Sequence, residues 1–165
     1  MRVWNVLLVL AACCAITLMA RPAAAQLLVG AHAGGEFDNS EDWLVFGVDA
    51  WIPLNVAPVT VQPRFTYHPF ERGSIIQVDA NVLLEPALAN PGMFSPYIGV
   101  GPSIRRLTLD FEGADDETKL TFNFVTGARV NIEGSPIQPF VHTQYTFAKE
   151  MVNSYTLSFG VAIAI

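Results

Sequence analysis

The last twelve residues, Ser154 to Ile165, alternate between apolar and small or polar side chains. Tyr155, Leu157, Phe159, Val161, Ile163 and Ile165 share one parity; Thr156, Ser158, Gly160, Ala162 and Ala164 share the other. Side chains switch faces at every residue of a β-strand, so this segment reads as a strand with one greasy face. A bare apolar edge templates aggregation. Such a strand is best accommodated when it is paired on both sides, which closes a sheet into a barrel.

The same period recurs upstream, and no segment after Gln26 has helical periodicity. Strands are predicted over Leu27–Gly35, Trp43–Ile52, Val59–His68, Ile75–Leu84, Tyr97 to about Leu109, Leu120–Ile132 and Ile137–Phe147, with Ser154–Ile165 the eighth. Within the fifth, Ile98 and Val100 fall on one parity while Leu107 and Leu109 fall on the other. Pro102 sits near this break, and a β-bulge there would explain both features. Pro63 interrupts the third strand without any parity break, and the pattern alone offers no account of it. Short turns are expected around Pro53–Pro58, Glu85–Pro96 and Glu133–Pro136; loops on the far side are expected at Glu36–Asp42, Pro69–Ser74, Glu112–Lys119 and Ala148–Asn153.

What the apolar face meets decides the class. The opposite face is Thr, Gln, Asn, Ser and Gly with sparse charges, and Lys119 and Lys149 are the only lysines after residue 25. A water-exposed β-surface carries far more charge, so the apolar face is expected to meet lipid and the polar face to be sealed inside. The expected fold is all-β: an eight-stranded antiparallel up-and-down transmembrane β-barrel, whose strands of about ten residues match a tilted membrane crossing. Aromatic residues fall into two bands that resemble interface girdles, with Trp43, Tyr67, Phe70, Phe111, Phe147 and Tyr155 at the far end and Trp51, Tyr97 and Phe140 at the turn end.

An eight-stranded interior has room for side chains and little else. The expected interior polar network is Asp49, Gln62, Arg64, Gln77, Asp79, Arg129, His142 and Gln144. Hairpin counting sets Arg64 opposite Gly47, Arg129 opposite Gly99 or Gly101, and His142 opposite Gly127, so that long side chains fill the space above glycines. Arg64 and Asp79, on neighbouring strands, form the expected ion pair, because a buried charge needs a partner.

The N-terminus has the form of a secretory signal: Arg2, an apolar run from Val6 to Ala20, then Ala23-Ala24-Ala25 as the cleavage site. Residues 1–25 are the expected cleaved signal peptide and residues 26–165 the barrel domain. Both cysteines, Cys13 and Cys14, fall within the signal, so no disulfide, thiolate metal site or cysteine nucleophile is expected in the mature chain. The mature balance is 7 cations against 15 carboxylates, or −8, which argues against a nucleic-acid partner.

Residues 26–165 resemble the small bacterial outer-membrane β-barrel family, of the OmpX and OmpA membrane-domain type. The resemblance rests on Ser95-Pro-Tyr-Ile-Gly-Val-Gly101, Thr126-Gly-Ala-Arg-Val-Asn131, Pro139-Phe-Val-His-Thr-Gln-Tyr-Thr-Phe147 and the alternating C-terminal strand. Members usually end in Phe, whereas this chain ends in Ile165. The resemblance implies export through the inner membrane, insertion by the barrel-assembly machinery, and residence as a monomer in a Gram-negative outer membrane among its lipids and lipopolysaccharide.

Chemistry is mostly set aside. The lipid A deacylases of this architecture carry His-x-Ser, where this chain has His142-Thr143-Gln144. By parity His142 and His32 face inward, away from lipid. His68 beside Glu71 is the one acid–base pairing the sequence offers. Acids crowd Asp110–Glu117 and Glu36–Asp42, but their spacing is not that of a calcium loop. No metal or cofactor is therefore expected, and neither is a catalytic residue. A porin-like channel, a ligand-binding barrel and a soluble lipocalin-like periplasmic binder remain the alternatives to a non-enzymatic, side-chain-filled barrel that contributes to envelope structure or surface interaction.

Overall fold

A computed structural model describes residues 26–38, 42–54, 58–86, 92–109, 116–148 and 153–165. The expected signal peptide lies outside the described residues. Eight strands close into one antiparallel barrel in sequence order: β1 Leu28–Phe37, β2 Asp42–Pro53, β3 Val59–Phe70, β4 Gly73–Leu84, β5 Phe94–Leu109, β6 Glu117–Val130, β7 Ile137–Phe147 and β8 Ser154–Ala164. β1 closes on β8 from Leu28↔Ala164 to Phe37↔Tyr155, and Ile165 adds a last amide bond to Leu27 O at 2.9 Å. No described strand is left as an edge, so the apolar terminal strand is paired on both sides.

The apolar parity faces outward. Val29, Phe46, Val48, Phe65, Val78, Val82, Val100, Phe124, Phe159 and Val161 are all exposed. Among the described strands, Asp42 and Arg106 are the only charged residues on this outward parity, and both lie near far ends. A continuous exposed apolar belt of this extent is costly in water and matched to hydrocarbon.

Three expectations about the strands are corrected. The register of β5 runs unbroken against β6 from Phe94↔Val130 to Leu107↔Glu117, so there is no bulge at Pro102. Leu107 and Leu109 face inward because the long strand continues beyond the apolar belt, where outward Arg106 pairs with Asp116 at 2.5 Å. Nor do Glu36 and Asp42 belong to a loop: Glu36 is a buried inward residue of β1 and Asp42 opens β2. Finally, Glu117–Lys119 begin β6 instead of ending the preceding loop.

Pro63 also finds its reason. It stays in register with Ala80 of β4, but the β2–β3 pairs stop at Asp49↔Arg64 and resume, in the same register, at Ile52↔Val61. The missing N–H is on the β2 side, so one seam carries the cost and the other remains intact. The turn from β6 to β7 is tight: Ser135 N donates to Ile132 O at 3.0 Å, and Gly134 takes φ +75°, a conformation that favours glycine.

Candidate functional site

The interior is filled in layers. At the turn end, Leu28, Trp51, Leu83, Tyr97, Val125, Phe140 and Ala162 form a buried apolar cluster. Trp51 meets Phe140 edge-on at 4.9 Å between ring centroids, and the Arg129 guanidinium lies 5.4 Å from the Trp51 ring centre. Trp51, Tyr97 and Phe140 are thus an internal plug and not part of a girdle. The outward aromatics gather instead towards the far end, where Phe46 pairs with Tyr67, Phe122 with Phe147, and Tyr145 with Tyr155.

At the turn-end rim of the plug Arg129 pairs with Glu85, and the other buried charges stand above it. At mid-height Asp49 receives Arg64 Nη1 at 3.2 Å and sits 2.6 Å from His32 Nδ1, while Arg64 Nη2 donates to Ser158 Oγ at 2.9 Å. Nearer the far end, Arg105 Nη2 donates to Glu36 Oε1 at 2.7 Å and Nη1 to Ser154 Oγ at 3.1 Å. His68 Nδ1 lies at ion-pair distance, 2.7 Å, from Glu36 Oε2, though poorly aligned for a hydrogen bond. Neutral amides link the layers. Gln77 and Asn123 each donate to Asp79 at 2.8 Å, Asn81 donates to Gln62 at 3.2 Å, Gln144 to Thr146 at 3.4 Å, and Tyr97 Oη lies 3.1 Å from His142 Nδ1.

All eight residues proposed for the interior network from the sequence are buried: Asp49, Gln62, Arg64, Gln77, Asp79, Arg129, His142 and Gln144. Their pairings differ from expectation. Arg64 and Asp79 are register partners, yet Arg64 turns to Asp49 on the other neighbouring strand, and amides satisfy Asp79. Arg64 lies opposite Asp49 and not Gly47, because the β2–β3 hairpin closes two residues away from the counted register. Arg129 faces Ser95, well short of Gly99 and Gly101, because β5 starts earlier than expected. His68 belongs with Glu36, not Glu71. The pairing of His142 with Gly127 is observed. Reasoning from the sequence missed Glu36, Glu85 and Arg105, three of the buried charges. Glu36 and Arg105 are recoverable from parity alone, as each shares the inward phase of its strand.

Glycines make the room. A Cβ on Gly47 would lie 2.5 Å from His32 Cε1, and one on Gly101 would lie 2.7 Å from Asn81 Oδ1. Over Gly127 the large neighbour is Tyr97, so the aromatic plug also rests on glycine. The Gly47 Cβ would also run into the Phe65 carbonyl oxygen, so Gly47→Ala is expected to spread the β2–β3 seam as well as push His32 off Asp49, and to destabilise the barrel by about 1–3 kcal/mol. Urea titration in detergent, compared with the outward change Ala50→Val on the same strand, reads this directly.

The filled interior restricts the chemistry. The gap among Arg64, Thr66, His68, Gln77, Gln144 and Thr156 has no volume for a water-sized sphere (about 0 Å³). His32–Asp49 and His68–Glu36 have the imidazole–carboxylate half of a nucleophilic triad. However, the hydroxyls of Thr66, Ser154 and Ser158 accept hydrogen bonds from arginines, and all four imidazole–carboxylate partners are buried. Among the described residues no three His, Asp or Glu side chains converge as a metal ligand set.

Fold and interior define the class: an eight-stranded barrel of the outer-membrane type. No family model matches the chain, and no curated protein matches it. Solved structures do. Neisserial surface protein A superposes with a TM-score of 0.66 at 14% identity, covering 84% of this chain and 96% of that one. The N-terminal β-barrel domain of Pseudomonas aeruginosa OprF gives 0.64 at 12% identity, covering 86% and 100%. The outer membrane enzyme PagL gives 0.56 at 13% identity, covering 84% and 99%. At such identities the likeness is one of fold, shared by proteins that include an enzyme.

Proposed function

We propose that the chain is exported by its N-terminal signal, inserted by the barrel-assembly machinery and housed in a bacterial outer membrane. There it acts without enzymatic activity, as a rigid, plugged anchor that contributes to envelope structure or to interactions at the surface. The observation that carries this reading is the pairing of a nearly charge-free apolar exterior with an interior closed by Trp51, Tyr97 and Phe140 and cross-linked by buried ion pairs. Outer-membrane lipid and lipopolysaccharide are its proposed neighbours. PagL makes an enzyme the natural rival, and burial of the histidine–carboxylate pairs away from lipid supports the non-enzymatic reading.

Two measurements test the proposal. Planar bilayers containing the purified protein are expected to show no sustained large single-channel conductance; such a conductance would replace the plugged anchor by a pore. Lipid A mass spectra are expected to be identical with and without the gene, and a deacylated species that tracks expression would make the protein an enzyme.

A further inference from the structure

The β2–β3 seam opens at the far end. Pairing between these strands ends at Phe46↔Tyr67, yet β2 remains paired with β1 as far as Asp42, and β3 remains paired with β4 as far as Phe70. The two strand tips therefore face each other with backbone groups outside the β2–β3 ladder. An open cleft of about 880 Å³ lies between them, lined by Asp42, Trp43, Leu44, Phe70, Glu71 and Arg72 together with Pro69. Trp43 and Phe70 stack across it with ring centroids 5.7 Å apart and planes 28° from parallel.

The charge around this cleft is net negative. In the sequence, residues 38–42, 71–72, 106–119 and 149–150, which fall at or between the far ends of consecutive strands, hold ten carboxylates against four Lys or Arg. That net −6 is most of the −8 carried by the mature chain, because the interior charges nearly cancel. Among the described residues Arg72 is the one cation lining the cleft, against Asp42 and Glu71.

The geometry points to a site for a basic peptide, whose Lys or Arg side chain enters the β2–β3 cleft and lies against the Trp43–Phe70 stack between Asp42 and Glu71. Three features converge on that occupant. Indole is the best cation–π surface among the side chains. Two carboxylates, Asp42 and Glu71, line the same cleft. Unladdered strand tips offer main-chain donors and acceptors of the kind an added extended segment uses. The acidic rim attracts such a peptide over a longer range, an effect that salt screens. The inference rests on the reading of this end as the outer surface, and it names the class of partner for the proposed surface interaction.

Fluorescence anisotropy of labelled hexalysine, titrated with the purified full mature protein in uncharged detergent, tests the site. Saturable binding is expected, weakened about five- to tenfold by the double variant Asp42→Asn/Glu71→Gln. The control double variant Asp116→Asn/Glu117→Gln removes the same charge from the same side and is expected to change affinity less than twofold. Trp43→Ala is expected to weaken binding comparably, with urea titration verifying that the barrel is folded. Equal losses in the two charge variants would reduce the effect to general rim electrostatics and overturn the site, and so would equal binding of hexaglutamate or of an uncharged maltohexaose. Because detergent-solubilised protein presents both ends, this result is independent of orientation. Labelling of Glu71→Cys on intact cells by a membrane-impermeant maleimide tests the orientation separately.

Discussion

Arg64→Leu is expected to be among the most damaging single substitutions in the barrel. Arg64 Nη1 and Nη2 hold Asp49 and Ser158, and its Nε donates to Thr66 at 3.3 Å, so one guanidinium ties β2, β3 and β8 together across the lumen. Removing it leaves the Asp49 carboxylate buried with His32 and the Gln62 amide, the latter at a long 3.4 Å. Breaking one side of a buried pair costs about 3–5 kcal/mol, chiefly from the uncompensated charge that remains. The double variant Arg64→Leu/Asp49→Leu is expected to recover a large part of that loss, since apolar replacement of both partners removes the stranded charge. Urea-induced unfolding in liposomes measures both, and equal losses in the single and double variants would show that packing, not charge, dominates the site.

Trp51→Ala is expected to have an effect of similar size by a different route. Trp51 is fully buried at the base of the lumen, edge-on to Phe140 and against the Arg129 guanidinium. Truncation leaves a cavity the closed sheet cannot collapse into, at about 3–5 kcal/mol. Gly30, whose Cβ would lie 3.1 Å from Trp51 Cζ3, adds a specific expectation. In the Trp51→Ala background, Gly30→Ala is expected to be better tolerated than in the native chain, a coupling that a double-mutant cycle in urea resolves.

The pattern of legibility follows from what a strand encodes. Parity is written into every residue, so the eight strands, the outward valines and phenylalanines, and the inward histidines are all readable from Leu27 to Ile165. Register is not. It depends on turn lengths and on local breaks such as Pro63, and a two-residue displacement moved Arg64 from Gly47 to Asp49 without altering which face it occupies. Partner choice is harder still. Arg64 has Asp49 on one side and Asp79 on the other, and only side-chain packing across the lumen selects between them. The misplaced girdle has a different origin. Trp51 shares parity with Gly47 and Asp49, and Phe140 with His142, so alternation already sent both inward; grouping them by height along the barrel hid that signal. In β5 a change of polarity mimics a change of register, because the strand passes beyond the apolar belt while its pairing with β6 continues unbroken.

Nitroxide labels on Val48→Cys, Val82→Cys and Val161→Cys in protein reconstituted into liposomes probe most directly which medium surrounds the barrel. Collision with dissolved oxygen is expected to be frequent at all three positions and collision with a water-soluble nickel chelate rare, as for side chains immersed in hydrocarbon. Frequent nickel collisions at these three sites would place the valines in water and contradict the lipid-facing barrel.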